Sequence, residues 1–348
     1  MRIEQLTFTR FVAAILIVIR HFGMSFYIFN TSPFLLLVDQ AQLYVSYFFV
    51  LSGFVMIVAY NKKEHIAPKE FIQKRFARIY PVYFIAIVAL ALYALFENGK
   101  HDGILFSLFL IQAWIPGKAT AFNAPAWSLS VEMLFYIVFP FLFNHFYKKK
   151  NLTTIAIVTI VIWILTQVLF ILVFTHQTSN FLSCFPLMHI NEFLMGNLAG
   201  LLFVWKLQHK KANYDWLVLI LAALLILAIK YRPVQVDYHN GMLVIIYLPL
   251  IIALALNTGR LTSLFNKKPL VVLGEISYSI YILQVPVCNW SLAVLHHFHK
   301  EFTLTAFWVF AGVLILLSYL SYKFIELPLR EKISKLGTRK LKTVKALA

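Results

Sequence analysis

Residues 152–175 read LTTIAIVTIVIWILTQVLFILVFT and decide the fold class, because these 24 residues contain no charged side chain. A helix of about 20 apolar residues is long enough to cross the hydrocarbon core of a bilayer. Nine further apolar runs predict nine more spans, near residues 7–29, 41–60, 79–96, 127–146, 186–205, 214–230, 241–257, 271–295 and 303–325. The apolar stretch 103–115 is too short to span and is expected to lie in the interface or to re-enter. The sequence therefore predicts an all-α fold, a polytopic transmembrane helical bundle of about ten spans.

The composition of the whole chain agrees with a membrane protein. Of its 348 residues, 61% are hydrophobic and 13% are charged, whereas a soluble domain averages roughly 45–50% apolar and about 25% charged residues. This difference excludes a soluble enzyme, a disordered chain, a coiled coil and a collagen-like repeat. The two cysteines, Cys184 and Cys288, are too few for a disulfide scaffold or a four-thiolate metal site.

The basic residues fall on one side of the predicted spans. With the N-terminus inside, 25 of the 31 lysines and arginines lie in inner segments and five lie in outer loops. Because Lys and Arg are enriched in cytoplasmic loops, both termini are predicted to be cytoplasmic. The net charge of +17 therefore reports topology, and no nucleic-acid partner is expected. We expect a membrane-embedded domain over residues 1–330 and a short basic cytoplasmic tail over 331–348.

Ionisable side chains within spans are costly and mark candidate functional sites. The informative ones are Arg10, Arg20, His21, Glu132, Glu192 and Glu275. Arg10 and His21 are eleven residues apart, which on a helix is an offset of only about 20° and a rise of about 16 Å. A cation at the cytoplasmic edge suits a phosphate, and a neutral imidazole in the outer half suits a general base. The alternatives are a snorkelling anchor for Arg10 and a hydrogen-bonded bundle histidine for His21.

A second motif, WSLSVE at residues 127–132, opens the fourth span from its outer side. Glu132 is predicted to lie at a depth similar to that of His21, so the carboxylate could orient the imidazole as such pairs do in other enzymes. The alternative is a glutamate that only ties helices together. Trp127 and Ser130 are candidate lining residues of the same site, as is Glu192.

Arginines supply two more candidate sites. Arg75 and Arg78 in KRFARIYP, residues 74–81, are three apart and share a helical face, which predicts a polyphosphate site unless the pair only marks the cytoplasmic side. Arg20 lies on a different face of the first helix, about 100° around the helix axis from His21. It either snorkels to the outer headgroups or clamps an acidic sugar or phosphate.

The ninth span contains SYSIYILQVP, residues 277–286. Tyr278 and Tyr281 share one face of this helix, and Gln284 follows one turn later. These three are further candidates for lining the site, although a tyrosine stripe is more often packing than chemistry.

Taken in order, these segments resemble the acyltransferase 3 family of bacterial membrane O-acyltransferases. The resemblance runs from Thr9 to about Arg330. It rests on RFVAAILIVIRH (10–21), YFFVLSGFV (47–55), KRFARIYPVYF (74–84), NAPAWSLSVEMLFYIVFP (123–140), NEFLMGNLAG (191–200), SYSIYILQVPV (277–287) and FIELPLR (324–330). Three positions depart from the family pattern, namely Ser46, His189 and Gln284.

The resemblance implies transfer of an acyl group, usually acetyl, from cytoplasmic acyl-CoA to a hydroxyl of an extracytoplasmic glycan or lipid-linked saccharide. Such O-acetylation is a polysaccharide modification of the cell envelope, made by a multi-pass protein of the bacterial cytoplasmic membrane. It implies that His21 is the essential histidine with Arg10 as its partner. It also implies that Arg75 and Arg78 bind the CoA donor and that Glu132 belongs to the tryptophan–serine motif. Acyl-CoA would be a substrate, so no permanently bound cofactor and no metal are expected.

Other readings of the same features remain. A secondary transporter would also be a ten-helix bundle with a few intramembrane charges, although it more often has repeated halves and broken helices near the midplane. A membrane scaffold would not require the alignment of Arg10 with His21. For an acyltransferase, His21 could act as a general base or could carry the acyl group itself as an acyl-histidine.

Overall fold

The computed structural model of the chain describes residues 3–31, 34–97, 102–174, 180–232 and 240–332, and these ranges contain no β-strand. Ten helices are long, and we label them α1 to α10 in chain order. Their bounds are α1 Gln5–Phe22, α2 Ala41–Tyr60, α3 Pro68–Phe96, α4 Trp127–Phe141, α5 Leu152–Phe174, α6 Ile190–Leu202, α7 Asp215–Lys230, α8 Val244–Leu256, α9 Lys268–His297 and α10 Leu304–Ser321. Each coincides with one of the ten predicted apolar runs, so the prediction of an all-α helical bundle is confirmed.

Shorter helical elements connect or extend the long helices. Short α-helices cover Tyr27–Asn30, Phe34–Val38, Ile104–Leu108, Asn180–Cys184 and Arg260–Phe265, and 3₁₀ turns cover Gln112–Trp114, Ala124–Ala126 and Pro186–His189. Turns of π-helix at Leu142–Tyr147, Phe203–Leu207 and Tyr322–Glu326 continue α4, α6 and α10. The stretch 103–115 thus forms two short elements, which are too short to span. Of the predicted tail at 331–348, all but the first two residues lie outside the described ranges.

Eight helical segments of the described ranges are long and apolar enough to cross a membrane, and they contain α1 to α6, α9 and α10. The helices α7 and α8 have 16 and 13 residues. At 1.5 Å per residue they are about 24 and about 20 Å long, which is less than the ~30 Å of a hydrocarbon core. The chain is therefore a multi-pass membrane protein, and two of the ten predicted spans are shorter than a full crossing.

Two helix boundaries differ from the prediction by seven residues or more, and one of them affects the site. The helix α1 ends at Phe22 rather than near residue 29. The helix α3 begins at Pro68, eleven residues before the predicted start at 79. Proline is well tolerated in a first turn, because its missing N–H would have no intrahelical partner there. The added turns are polar and give no hydropathy signal, so the basic motif that was assigned to a loop lies on α3 itself.

Glycines allow α2 and α6 to approach closely. A Cβ atom built on Gly196 would overlap the backbone carbonyl of Val50, and one built on Gly53 would overlap that of Phe193. Small residues permit such close backbone contact between membrane helices. The helices α2 and α6 therefore pack as a tight pair, and α1 packs against both α2 and α9. This arrangement fixes the helices that surround the site.

We expect Gly196→Ala to destabilise the bundle by about 1–3 kcal/mol, because the added methyl group forces α2 and α6 apart. The matched control is Gly312→Ala in α10, where an added Cβ meets nothing within 4 Å. There the exchange should be neutral or stabilising by about 1 kcal/mol, the helix preference of alanine over glycine. Thermal unfolding in detergent measures both variants, and equal melting temperatures would contradict the close packing.

Candidate active site

Five helices, α1, α2, α3, α4 and α9, surround a cavity of about 850 Å³, a volume that includes its opening to solvent. Its polar lining combines guanidinium groups, hydroxyl groups and one carboxylate. These belong to Arg10, Ser52, Arg75, Arg78, Ser128, Glu132, Tyr136, Ser277, Tyr278 and Tyr281. Six of the predicted site residues, drawn from four separate sequence motifs, therefore meet around one space.

A second and wider cavity adjoins the first and measures about 1710 Å³ including its open mouth. The two cavities share Arg10, Arg75 and Arg78. The wider one is also lined by the cationic residues Lys63, Lys74 and Arg330. Its lining thus has six cationic side chains against one carboxylate, that of Glu275. Such an excess of positive charge suits a polyphosphate, since guanidinium groups bind phosphate oxygens in a bidentate manner.

Aromatic rings hold the Arg75 side chain in place. Its guanidinium carbon lies 5.6 Å from the ring centre of Tyr60, 5.2 Å from that of Phe71 and 5.8 Å from that of Tyr136. A cation at such distances is attracted by the ring faces. Its Nε is buried, and no described residue accepts a hydrogen bond from it. Arg75 is thus positioned by packing, while its Nε–H remains available to an acceptor in the cavity.

Glu132 faces the arginines and not the histidine. Its Oε2 accepts a hydrogen bond of 2.8 Å from the hydroxyl of Tyr136, four residues further along α4, and both side chains line the cavity. The structure does not bring Glu132 to His21 as the sequence predicted, because a similar depth in the membrane does not fix the rotation of each helix about its axis. Tyr136 was missed by the sequence reasoning, although its i,i+4 spacing from Glu132 places the two on one face.

His21 lies at the C-terminal end of α1, away from the arginines, and its side chain is exposed. Its Nδ1 is 2.9 Å from Oε1 of Gln284. Gln284 is buried, and its Nε2 donates a 2.7 Å hydrogen bond to the backbone carbonyl of Tyr281. Since Tyr281 lines the cavity and His21 does not, one turn of α9 connects the cavity wall with the imidazole. Gln284 contacts the imidazole and does not line the cavity.

The cavity wall next to Gln284 is formed by Tyr281, whose side chain is fixed by several contacts. The hydroxyl of Tyr281 donates to the carbonyl of Pro125 at 2.8 Å and accepts from Oγ of Ser128 at 3.1 Å. Its ring packs edge-on against Phe48, with 6.1 Å between the ring centres. A group that moves from the cavity towards the imidazole therefore meets this ring pair.

Three other predicted lining residues lie away from the cavity. Glu192 is fully buried, accepts a short hydrogen bond from Ser46 and lies 2.8 Å from Nδ1 of His189. The ring of Trp127 packs 5.2 Å from that of His189. Ser130 is buried on α4, out of phase with the residues that face the cavity. The structure therefore does not place Trp127, Ser130 and Glu192, which were predicted to line the site, at either cavity, because the helix period turns their side chains into the packed interior.

Arg20 has a partner within the protein. Its Nε donates to the backbone carbonyl of Asp39 at 3.1 Å, and its guanidinium nitrogen lies 3.9 Å from the Asp39 carboxylate. Both side chains are exposed, and exposed ion pairs contribute about 0–1 kcal/mol. The sequence did not reveal the contact between Arg20 and Asp39, and neither of the two interpretations of Arg20, snorkelling or a sugar clamp, predicted it.

The ligand chemistry of the two cavities follows from the groups that line them. Among the residues that the structure describes, no three His, Cys, Asp or Glu side chains are grouped so that they could share a metal ion. Cys184 and Cys288 are both buried and free. The groups that face the cavities are cationic, hydroxylic and aromatic, a set suited to an anionic substrate with a less polar arm.

A model of the Acyl_transf_3 family, described as an acyltransferase domain, matches residues 3–323. The chain belongs to the acyltransferase 3 family. This match covers nearly the whole chain and confirms the resemblance drawn from the motifs. Every residue that lines the narrower cavity falls within it, and only Arg330 of the wider cavity lies beyond it.

Three relatives of the chain are named as acyltransferases or O-acetyltransferases. Acyltransferase MdmB from Streptomyces mycarofaciens is 31% identical over 151 residues, which cover 40% of this chain and 38% of MdmB. Peptidoglycan O-acetyltransferase OatA from Listeria monocytogenes is 25% identical over 324 residues, covering 82% of this chain and 51% of the relative. O-acetyltransferase OatA from Staphylococcus aureus strain NCTC 8325 is 27% identical over 325 residues, with 83% and 52% covered. The chain thus spans about half the length of the OatA proteins, and no solved structure matches it significantly.

Proposed function

We propose that this chain is a membrane O-acyltransferase that moves an acyl group, in the first instance acetyl, from acyl-CoA to a glycan hydroxyl. The observation that carries the proposal is a pair of cavities that share three arginines: the wider one has a basic mouth, and the narrower one is lined by Tyr281, one turn of α9 before the Gln284 that contacts His21. Membership of the acyltransferase 3 family and the names of the OatA relatives support acetyl transfer. The name of the Listeria relative favours peptidoglycan as the glycan, and a lipid-linked saccharide is the second acceptor class.

The proposed orientation places the basic mouth in the cytoplasm of a bacterial cell. Lys63 in the loop between α2 and α3 and Lys74 near the start of α3 line that mouth, and both belong to a basic segment that the positive-inside rule assigns to the cytoplasm. Both chain termini then lie on the same side. The imidazole of His21, at the other end of α1, lies towards the outer face of the cytoplasmic membrane.

In the proposed donor complex, the phosphate groups of acyl-CoA bind Arg75, Arg78 and Arg10. The pantetheine arm occupies the narrower cavity and carries the thioester towards Tyr281. Glu132, bonded to Tyr136, lies among the arginines and aligns them for the phosphates. The cost of an arginine within the membrane is then offset by its anionic partner.

In the proposed reaction, Nε2 of His21 takes the proton of the acceptor hydroxyl while the hydroxyl oxygen attacks the thioester carbonyl. A carbon–oxygen ester bond forms, the carbon–sulfur bond breaks, and the CoA thiolate takes up the proton from the imidazolium. The rival route begins with attack by His21 itself and gives an acyl-histidine. That route alone would release a burst of CoA in the absence of acceptor.

The proposal is tested by supplying acetyl-CoA to the purified protein in lipid vesicles and measuring free CoA thiol with and without peptidoglycan fragments or a lipid-linked saccharide. We expect CoA release to depend on acceptor and to match the acetyl groups found on the saccharide by mass spectrometry. A secondary transporter would move solutes without releasing CoA. An absence of CoA release with every acceptor would contradict the assignment of acyl-CoA as donor.

A further inference from the structure

Gln284 uses both ends of its side-chain amide, although its side chain is completely buried in the middle of α9. The amide nitrogen donates to the backbone carbonyl of Tyr281 at 2.7 Å, and the amide oxygen lies 2.9 Å from Nδ1 of His21. Together, the two contacts allow only one orientation of the side-chain amide. A carbonyl oxygen only accepts hydrogen bonds, so the group that faces Tyr281 has to be the amide NH₂, and the group that faces the imidazole has to be the oxygen.

The amide oxygen in turn determines where the imidazole carries its hydrogen. Because this oxygen also only accepts, Nδ1 of His21 has to be the donor of the 2.9 Å contact. A neutral imidazole has one hydrogen on its two nitrogens, so Nε2 is left with a free lone pair. No described residue bonds to Nε2, and the exposed ring leaves it open to a substrate.

The contacts around Gln284 oppose a reversal of this arrangement. Rotating the amide by half a turn would bring its oxygen against the carbonyl oxygen of Tyr281 and its NH₂ against the N–H of the imidazole. Tyr281 is itself fixed, through its hydroxyl, to Pro125 and Ser128. The next backbone carbonyl on α9, that of Ile282, accepts from the side chain of Asn123 at 3.3 Å. The acceptor that faces His21 is therefore held by the segment that leads into α4.

We propose that Gln284 is the positioning residue of the proposed base: it fixes the Nδ1–H tautomer of His21 and makes Nε2 the atom that takes the proton. The inference rests on the proposed function and refines it, because it gives Gln284 the role that the sequence had assigned to Glu132. Gln284 acts only through His21 and is not expected to contact acyl-CoA.

Two substitutions separate positioning from structure. Gln284→Met keeps the length of the side chain but removes the acceptor, so both tautomers of His21 become accessible. We expect kcat to fall about 10- to 100-fold with an unchanged KM for acetyl-CoA, as for other residues that orient a reactive imidazole. Gln284→Glu keeps an oxygen facing Nδ1, and when protonated it also keeps a donor for Tyr281, so it should retain kcat within a few-fold. The matched control is Gln167→Met on α5, where a buried glutamine bonds to the carbonyl of Asn240, and it should leave kcat unchanged.

The tautomer itself is measured by ¹⁵N NMR of protein labelled at histidine, with the signals of His21 identified by their loss in His21→Phe. We expect a protonated Nδ1 and an unprotonated Nε2 in the wild type, and a mixture of tautomers in Gln284→Met. An Nε2–H tautomer in the wild type, or an unchanged tautomer and kcat in Gln284→Met, would overturn the inference. The expected tautomer together with an active His21→Phe variant would instead overturn the proposed function, so the two failures are distinguishable.

Discussion

Replacing His21 with alanine is expected to lower the rate of acyl transfer by about 10²–10⁴-fold, the usual contribution of a positioned general base. The fold should survive, because the side chain is exposed at the end of α1 and its loss leaves no cavity in the packed interior. The measurement is acetyl transfer by purified variants at matched protein amounts, with thermal unfolding as the check on folding. KM for acetyl-CoA should change little, since the arginines of the donor site lie at the other end of α1.

The control for this experiment is another exposed histidine with a similar hydrogen bond. Nδ1 of His145 lies 3.2 Å from the backbone carbonyl of Phe141, at the far end of the α4 segment. His145→Ala removes an imidazole of comparable exposure from outside both cavities and should leave the rate unchanged. Substantial turnover by His21→Ala would show that another group removes the proton.

The combined change Arg75→Ala and Arg78→Ala is expected to raise the KM for acetyl-CoA by at least about a hundredfold. Each guanidinium makes charge-assisted hydrogen bonds worth roughly 1.5–3 kcal/mol, so the loss of both costs about 3 kcal/mol or more. The KM for the saccharide acceptor should stay within a few-fold, because the acceptor approaches from the side of His21. Steady-state kinetics with each substrate varied in turn separates the two effects.

A suitable control removes two positive charges at positions that do not line the cavities. Lys148→Ala with Lys149→Ala does so, since both lysines follow α4 in another predicted cytoplasmic loop and neither lines the donor path. If the lysine pair raises the KM for acetyl-CoA as much as the arginine pair, the effect is one of net charge or topology. An unchanged KM in the arginine pair would leave Arg75 and Arg78 as topology signals only.

Hydropathy was sufficient to predict most of the helices, because a helix that crosses a bilayer requires a long apolar run. It could not locate the start of α3, because the turns between Pro68 and residue 78 lie outside the apolar run and read as a charged loop. The i,i+3 spacing of Arg75 and Arg78 nevertheless placed them on one face, and both line the cavities. Short-range helical geometry was therefore reliable where the helix itself was longer than predicted.

The spacing of residues in the sequence could not predict contacts between helices. The depth of Glu132 and His21 could be counted along each helix, but the rotation of α4 towards the arginines depends on packing against its neighbours. The hydrogen bond between His21 and Gln284 joins residues 263 positions apart in the chain. Likewise, the ion pair of Arg20 with Asp39 depends on the turn after α1, which begins seven residues earlier than predicted.

We propose that the donor and the acceptor approach the site from opposite faces of the membrane. Vesicles that contain the protein in a single orientation, established by impermeant labelling of a Lys62→Cys variant, allow acetyl-CoA to be supplied to one face and the saccharide to the other. We expect acetylated saccharide when acetyl-CoA is on the face that bears residue 62 and the saccharide is on the opposite face, and none when the two are exchanged. Transfer only when both substrates share one face would contradict the account.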